Sequence, residues 1–94
     1  MQHLVIFRVK PDATESKQAP LRIAEAAKIW QLTAAGVLRS IHFIPGPGAV
    51  LQIEAKDEAD ARACIDQLPM VQAGVVAVEV LPLLPFTGLE ALFA

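Results

Sequence analysis

The chain has no tyrosine, one tryptophan and a single cysteine in 94 residues. A lone cysteine rules out an internal disulfide, and Cys64 falls on the apolar side of an expected helix, where packing rather than nucleophilic chemistry is its expected role. An excess of charge of either sign is also missing: eight basic and ten acidic side chains are spread along the sequence, for a net charge of −2. No basic stripe can follow a phosphate backbone, so nucleic acid is not an expected partner. Long apolar runs are absent as well. Arg8, Arg39, Glu54 and Glu79 interrupt or flank each run well before the roughly 20 residues that span a bilayer, and no membrane partner is expected. Met1-Gln2-His3 lacks the positive region of a targeting segment, which makes the cytoplasm the expected location.

What the chain has in surplus is apolar side chain: 54% of residues, with a mean hydropathy of +0.46. Residues 1–94 without a long linker suit one domain, and a domain this small covers its apolar surface poorly, so the surplus calls for a partner surface.

Residues 3 to 9 are β-branched or aromatic on both parities, as in a central strand covered on both faces. Thr14 to Ala35 favours a long helix stopped by Gly36, with Pro20 either opening the helix proper near Ala19 or kinking an initial turn from Thr14. Val37–Ile44 and Ala49–Ala55 form a hairpin about Pro45-Gly46-Pro47-Gly48. Pairing Ile44 with Ala49 puts Phe43 opposite Val50, Ile41 opposite Gln52 and Arg39 opposite Glu54. Asp57 caps a second helix running to about Leu68, with Ala61, Cys64, Ile65 and Leu68 on its buried side and Pro69 as its stop. Val75–Leu81 is the last strand. Residues 83–94 form an apolar arm, in which Thr87-Gly88-Leu89-Glu90 opens a short helical segment with Leu89, Leu92 and Phe93 on one face.

This βαββαβ order predicts an α+β ferredoxin-like sandwich, a four-stranded antiparallel sheet with two helices on one face. The second sheet face is then bare, and pairing with a second copy is the expected cover, with the arm either reaching across or folding back on its own sheet.

The element order, together with Gly36-Val37-Leu38-Arg39, Asp57-Glu58-Ala59, Gln67-Leu68-Pro69-Met70 and Val78-Glu79-Val80-Leu81-Pro82-Leu83, resembles the dimeric α+β barrel superfamily, and within it most closely the muconolactone isomerase family. The resemblance covers nearly the whole chain. It implies a homodimer or higher oligomer, and an isomerase acting by proton transfer on an unsaturated lactone or related small organic acid without a cofactor. The alternative is a noncatalytic barrel that binds a small molecule or serves as an oligomeric partner.

Glu25 resembles the family's acidic helix residue, eleven positions before Gly36, and would be the base. Its own context agrees: Leu21, Glu25, Ile29 and Leu32 share one helical stripe, so Glu25 interrupts an apolar face, and desolvation there would raise its pKa. If instead Ile23, Ala26, Ala27, Trp30 and Ala34 are the buried stripe, Glu25 is a surface residue paired with Arg22 or Lys28. Arg39 matches the family's arginine and would hold a substrate carboxylate, with Glu54 orienting its guanidinium and Gln52 beside them; a plain cross-strand ion pair is the alternative. His42 near the hairpin turn and Trp30 on the helix complete the candidate substrate-binding set, and no metal site is expected because neither His3 nor His42 has a second ligand at suitable spacing. The chain departs from the family at Leu38, where a tryptophan is usual, and at Gly48 and Val50, near which the family has polar pocket residues.

Overall fold

A computed structural model describes residues 1–93. Strand β1 (Gln2–Val9) leads into a short helix α1 (Glu15–Gln18), a 3₁₀ turn (Ala19–Leu21) and the main helix α2 (Arg22–Ala34). Pro20 therefore sits in the tight turn between α1 and α2: the initial turn from Thr14 forms and is kinked, because proline has no N–H for an interior helical bond. Gly36 ends α2 at φ +75°, a backbone region costly for other residues. Its N–H bonds to the Thr33 carbonyl while the Val37 N–H reaches back to Leu32 at 3.0 Å, a Schellman closure.

Strands β2 (Leu38–Ile44) and β3 (Gly48–Glu54) form the expected hairpin, then α3 (Glu58–Ile65), a short α4 (Pro69–Gln72) and β4 (Val76–Pro82) complete the order. The Asp57 side chain accepts from the Asp60 N–H at 2.8 Å and caps α3. Pro69 does not simply stop that helix. The helix ends at Ile65, and Pro69 opens α4, taking the first-turn position where its missing N–H costs nothing.

The four strands form one antiparallel sheet in the order β2-β3-β1-β4. His3, Val5 and Phe7 of β1, Ala49, Leu51 and Ile53 of β3, and Val80 of β4 point to the helix side and are buried there with Leu32, Ala61, Ile65 and Leu68. Ile29, half-buried, packs against the same core, so the Leu21–Glu25–Ile29–Leu32 stripe of α2 is the one that meets the sheet; Ile23 on the other stripe is 87% exposed.

The hairpin register differs from expectation by one residue. Ile44 pairs with Gly48, Phe43 with Ala49 and Ile41 with Leu51, leaving a three-residue turn. The third strand decides this: Gly48 pairs with Arg8, and the Val9 N–H bonds to the Pro47 carbonyl at 3.1 Å, which draws Gly48 out of the turn and into the sheet. A one-residue slip changes which side chains share a face. Arg39 consequently does not face Glu54; it occupies a bulge between the Leu38↔Ile53 and Ser40↔Gln52 pairs.

Beyond β4 the arm runs free. Leu83 still donates to the Gln2 carbonyl at 2.9 Å, but residues 83–93, including the 3₁₀ segment Gly88–Phe93, are exposed, so the arm does not fold back on its own sheet.

Candidate active site

Between α2 and the sheet lies an open cleft of about 690 Å³. It exists because little side-chain volume is supplied to fill it: Gly48 and Ala49 form part of its floor beside Phe7, and α2 contributes the small side chain of Ala26. The α2 wall carries Arg22, Glu25, Ile29 and Trp30; Ile41 and Phe43 of the edge strand β2 form the opposite wall, and Met70 of α4 closes one side.

Among the described residues Glu25 is the one acidic side chain lining this largely apolar space. It is half-buried, and its Oε1 accepts a single hydrogen bond, from the Met70 N–H at 3.0 Å. Loss of water around the carboxylate raises its pKa above the ordinary carboxylate value, partly opposed by the Met70 bond, which favours the charged form. The partner is a backbone N–H freed by the start of α4, one of the unbonded donors every helix N-terminus presents. Glu25 is bonded to neither Arg22 nor Lys28.

Arg22 also lines the cleft, one helical turn from Glu25, a spacing that puts Cβ atoms roughly 5–6 Å apart. Both of its terminal nitrogens bond to Glu15 across the Pro20 kink, one of them at 2.6 Å, so the guanidinium is held in a two-pronged ion pair. That pairing holds the Glu15 carboxyl below its usual range. Arg22 was not among the sequence candidates. The available signal was the seven-residue separation of Glu15 and Arg22, two helical turns on one face.

The other candidates are placed as follows. Trp30 lines the cleft mouth and is 69% exposed, so it is not a core residue of this chain. Arg39 lies outside the cleft and its Nε donates to the Gly36 carbonyl at 2.7 Å. Glu54 bonds the Met1 ammonium at 2.9 Å, which lowers the Glu54 pKa. Gln52 donates to Gln2, and His42 is exposed on the sheet face that bears no helix. The structure thus brings Glu25 and Trp30 to one cleft, and leaves Arg39, Glu54, Gln52 and His42 outside it. Arg39 and Glu54 form no ion pair or hydrogen bond, contrary to expectation, because the register and bulge put them out of facing positions, although the Arg39 charge still contributes to lowering the Glu54 pKa.

Among the described residues no group of three or more His, Cys, Asp or Glu side chains is arranged to hold a metal ion. Cys64 is half-buried on α3, and burial pushes its thiol pKa up, away from the thiolate a nucleophile needs. His3 is fully buried with neither ring nitrogen bonded to any described residue. No helix among the described residues is long and apolar enough to cross a membrane.

No family model matches the chain, and no curated protein matches it in sequence. In structure it is similar to 5-chloro-2-hydroxyhydroquinone dehydrochlorinase (TftG) from Burkholderia phenoliruptrix AC1100, solved in complex with 2,5-dihydroxybenzoquinone. The TM-score is 0.76 at 18% identity, over 89% of this chain and 94% of the other. The shared fold is the ferredoxin-like α+β arrangement, a four-stranded antiparallel sheet with helices on one face. At this identity the likeness is one of architecture.

Proposed function

We propose that the protein is a small acid–base enzyme that isomerises an unsaturated cyclic carbonyl compound, such as an unsaturated lactone or a related small organic acid, with Glu25 as the proton-transferring group. The observation that carries this reading is a half-buried carboxylate of raised pKa, with one fixed hydrogen bond, in a largely apolar cleft. The cleft volume lies within the roughly 300–1,000 Å³ typical of small-molecule sites. The similar dehydrochlorinase was solved with a small oxygenated ring compound bound, which supports a ligand of that size on this fold.

In the proposed reaction the Glu25 carboxylate takes a proton from a carbon next to the carbonyl. The C–H electron pair moves into the conjugated system to give an enolate, and protonated Glu25 returns the proton to another carbon, so atoms and electrons balance. This chemistry needs a proton carrier and no electron carrier. Arg22, one turn away, takes over the anion-holding role first given to Arg39: its guanidinium belongs to the cationic side chain that lines the cleft together with the base.

The noncatalytic alternative, a barrel that only binds a small apolar acid, is favoured by one observation: Arg22 is already neutralised by Glu15. Glu25→Gln separates the two readings, since it keeps shape and hydrogen-bonding capacity but cannot carry the proton. A loss of about 10²–10⁴-fold in kcat/KM with ligand affinity retained is expected. In the parent protein kcat/KM should rise as pH increases through the raised Glu25 pKa, because the base must be ionised. Absence of turnover by the parent on any lactone or cyclic enone, with binding intact, would leave the binding reading.

The homodimer is part of the same proposal. The helix-free sheet face has Leu4, Ile6, Val50 and Leu81 at its centre, with Arg8, Gln52 and Glu79 around them. An apolar centre with a polar rim is the usual anatomy of a protein interface.

A further inference from the structure

Arg22 stands between two places. It lines the cleft, but both of its terminal nitrogens are taken by the two carboxylate oxygens of Glu15, one of them at 2.6 Å, and Glu15 does not line the cleft. The two-pronged edge that would grip a ligand carboxylate is therefore already occupied by a carboxylate of the chain's own. Local sequence builds this occupancy. The chain enters α1 after Thr14, Pro20 kinks it after a single turn, and Glu15 is left against the first residue of α2, which is Arg22.

Little holds the pair shut. The Arg22 and Glu15 side chains are 51% and 71% exposed, and an ion pair in that much water is weak, because solvent screens it and two long side chains have to be held still to make it. No residue of α1 is buried, and the Thr14 side chain does not cap it. The charges in the cleft supply a reason for the pair to open. Among the described residues Arg22 and Glu25 are the charged side chains of the cleft lining. A ligand carboxylate entering while Glu15 keeps its place would put three carboxylates near one guanidinium, and like charges so arranged oppose binding. An acidic ligand gains a free guanidinium only if Arg22 gives up Glu15, whereas a neutral ligand leaves the pair closed.

We propose that Glu15 is a positioning residue that sets the selectivity of the cleft between acids and neutral compounds: Arg22 rests on Glu15 while the cleft is empty or holds a neutral ligand, and transfers to the ligand when a carboxylate enters. This role rests on Arg22 being the anion-holding group of the proposed enzyme, and on no step of its catalysis. No covalent bond changes. One carboxylate replaces another on the same N–H donors, so an acid binds at the cost of the Glu15 contact, and removing the Glu15 charge raises affinity for acids alone.

Trp30 is the only tryptophan in the chain and lines the cleft, so its fluorescence reports ligand entry without reference to any catalysis by Glu25. The probes are cyclohex-1-enecarboxylate and cyclohex-1-enecarboxamide, unsaturated rings of the same shape that differ in charge. They are titrated at about 0.15 M salt, where exposed charges more than about 8 Å apart are largely screened. Glu15→Gln should bind the carboxylate about two- to fivefold more tightly than the parent, the range expected when an exposed ion pair no longer competes. Its affinity for the amide should equal that of the parent, which also shows an intact cleft. In an Arg22→Met background the same Glu15 substitution should alter neither affinity, because the competition runs through Arg22. The proposal is overturned by a carboxylate affinity that is unchanged or lower in Glu15→Gln, by a gain that the amide shares or that persists with Arg22→Met, or by a carboxylate that binds neither parent nor variant. Binding and turnover fail separately. A Glu15 effect in a protein that turns over no lactone ends the isomerase reading and keeps this one, and turnover abolished by Glu25→Gln with no Glu15 effect does the reverse.

Discussion

Glu25 and His3 are both polar groups taken out of water, and they respond differently because one has a bonding partner and the other has none. For Glu25, burial raises the folded-state pKa above its unfolded value. The sign follows: below the unfolded pKa, near 4.3, both states are protonated and Glu25 costs nothing, and as pH rises through the folded pKa the native state has to ionise a poorly solvated group and loses stability. The difference in Tm between parent and Glu25→Gln should therefore shift in favour of the variant from about pH 4 upward and level off once the carboxylate is ionised in both states. Because Glu25 is only half-buried the effect will be modest, and a pH-independent difference would contradict a desolvated carboxylate. His3 is different. Its ring is fully buried with both nitrogens unbonded among the described residues, and an unsatisfied buried polar group costs about 1–3 kcal/mol. His3→Leu replaces it with an apolar side chain of similar size, so a gain of about 1 kcal/mol is expected, read as a rise of about 4–8 °C in Tm. A fall in Tm would mean that the ring has a partner worth more than its burial costs.

At the scale of elements, the order of helices and strands along the chain was legible in the sequence because it rests on local periodicity, whereas α2 offered two apolar stripes and only packing against the sheet chose between them. The stripe Leu21, Glu25, Ile29 and Leu32 is the packed face, and Asp57 is the cap. That stripe also carries Glu25 into the cleft. The hairpin register was not legible, because a turn containing two prolines and two glycines accepts more than one loop length, and the choice is made by β1, which is remote in sequence. Every candidate that depended on facing positions across β2 and β3 was displaced with it: Arg39 went into a bulge, and Glu54 found the N-terminal ammonium. Gly48 is the physical reason for the observed register. A Cβ there would lie 2.1 Å from the Phe7 carbonyl oxygen and 3.2 Å from its carbonyl carbon, both backbone atoms in the middle of the sheet. Gly48→Ala should destabilise the protein by about 1–3 kcal/mol, seen as a lower urea midpoint with unchanged m-value. If the midpoint does not move, the β1–β3 approach is looser than these distances state.

For the whole molecule, the apolar surplus in the composition turns out to be divided between three surfaces that one copy leaves open: the helix-free sheet face, the cleft mouth and the arm. A second copy packed face to face would cover the helix-free sheet face, because the helices already occupy the other side of the sheet. Ile6 tests the sheet contribution separately from the arm. It is half-buried near the centre of the open face, opposite Val50 on one side and Glu79 on the other, and lies outside the helix-side core. Ile6→Glu would bring a carboxylate beside Glu79 and confront each charge with its symmetry mate in a face-to-face dimer, where like charges oppose association and desolvation adds to the cost. Sedimentation velocity should show the parent as a dimer and Ile6→Glu as a monomer at the same concentration, with the far-UV circular dichroism retained because the core is untouched. A variant that remains dimeric would assign the contact to another surface, and would leave the open sheet face without a partner.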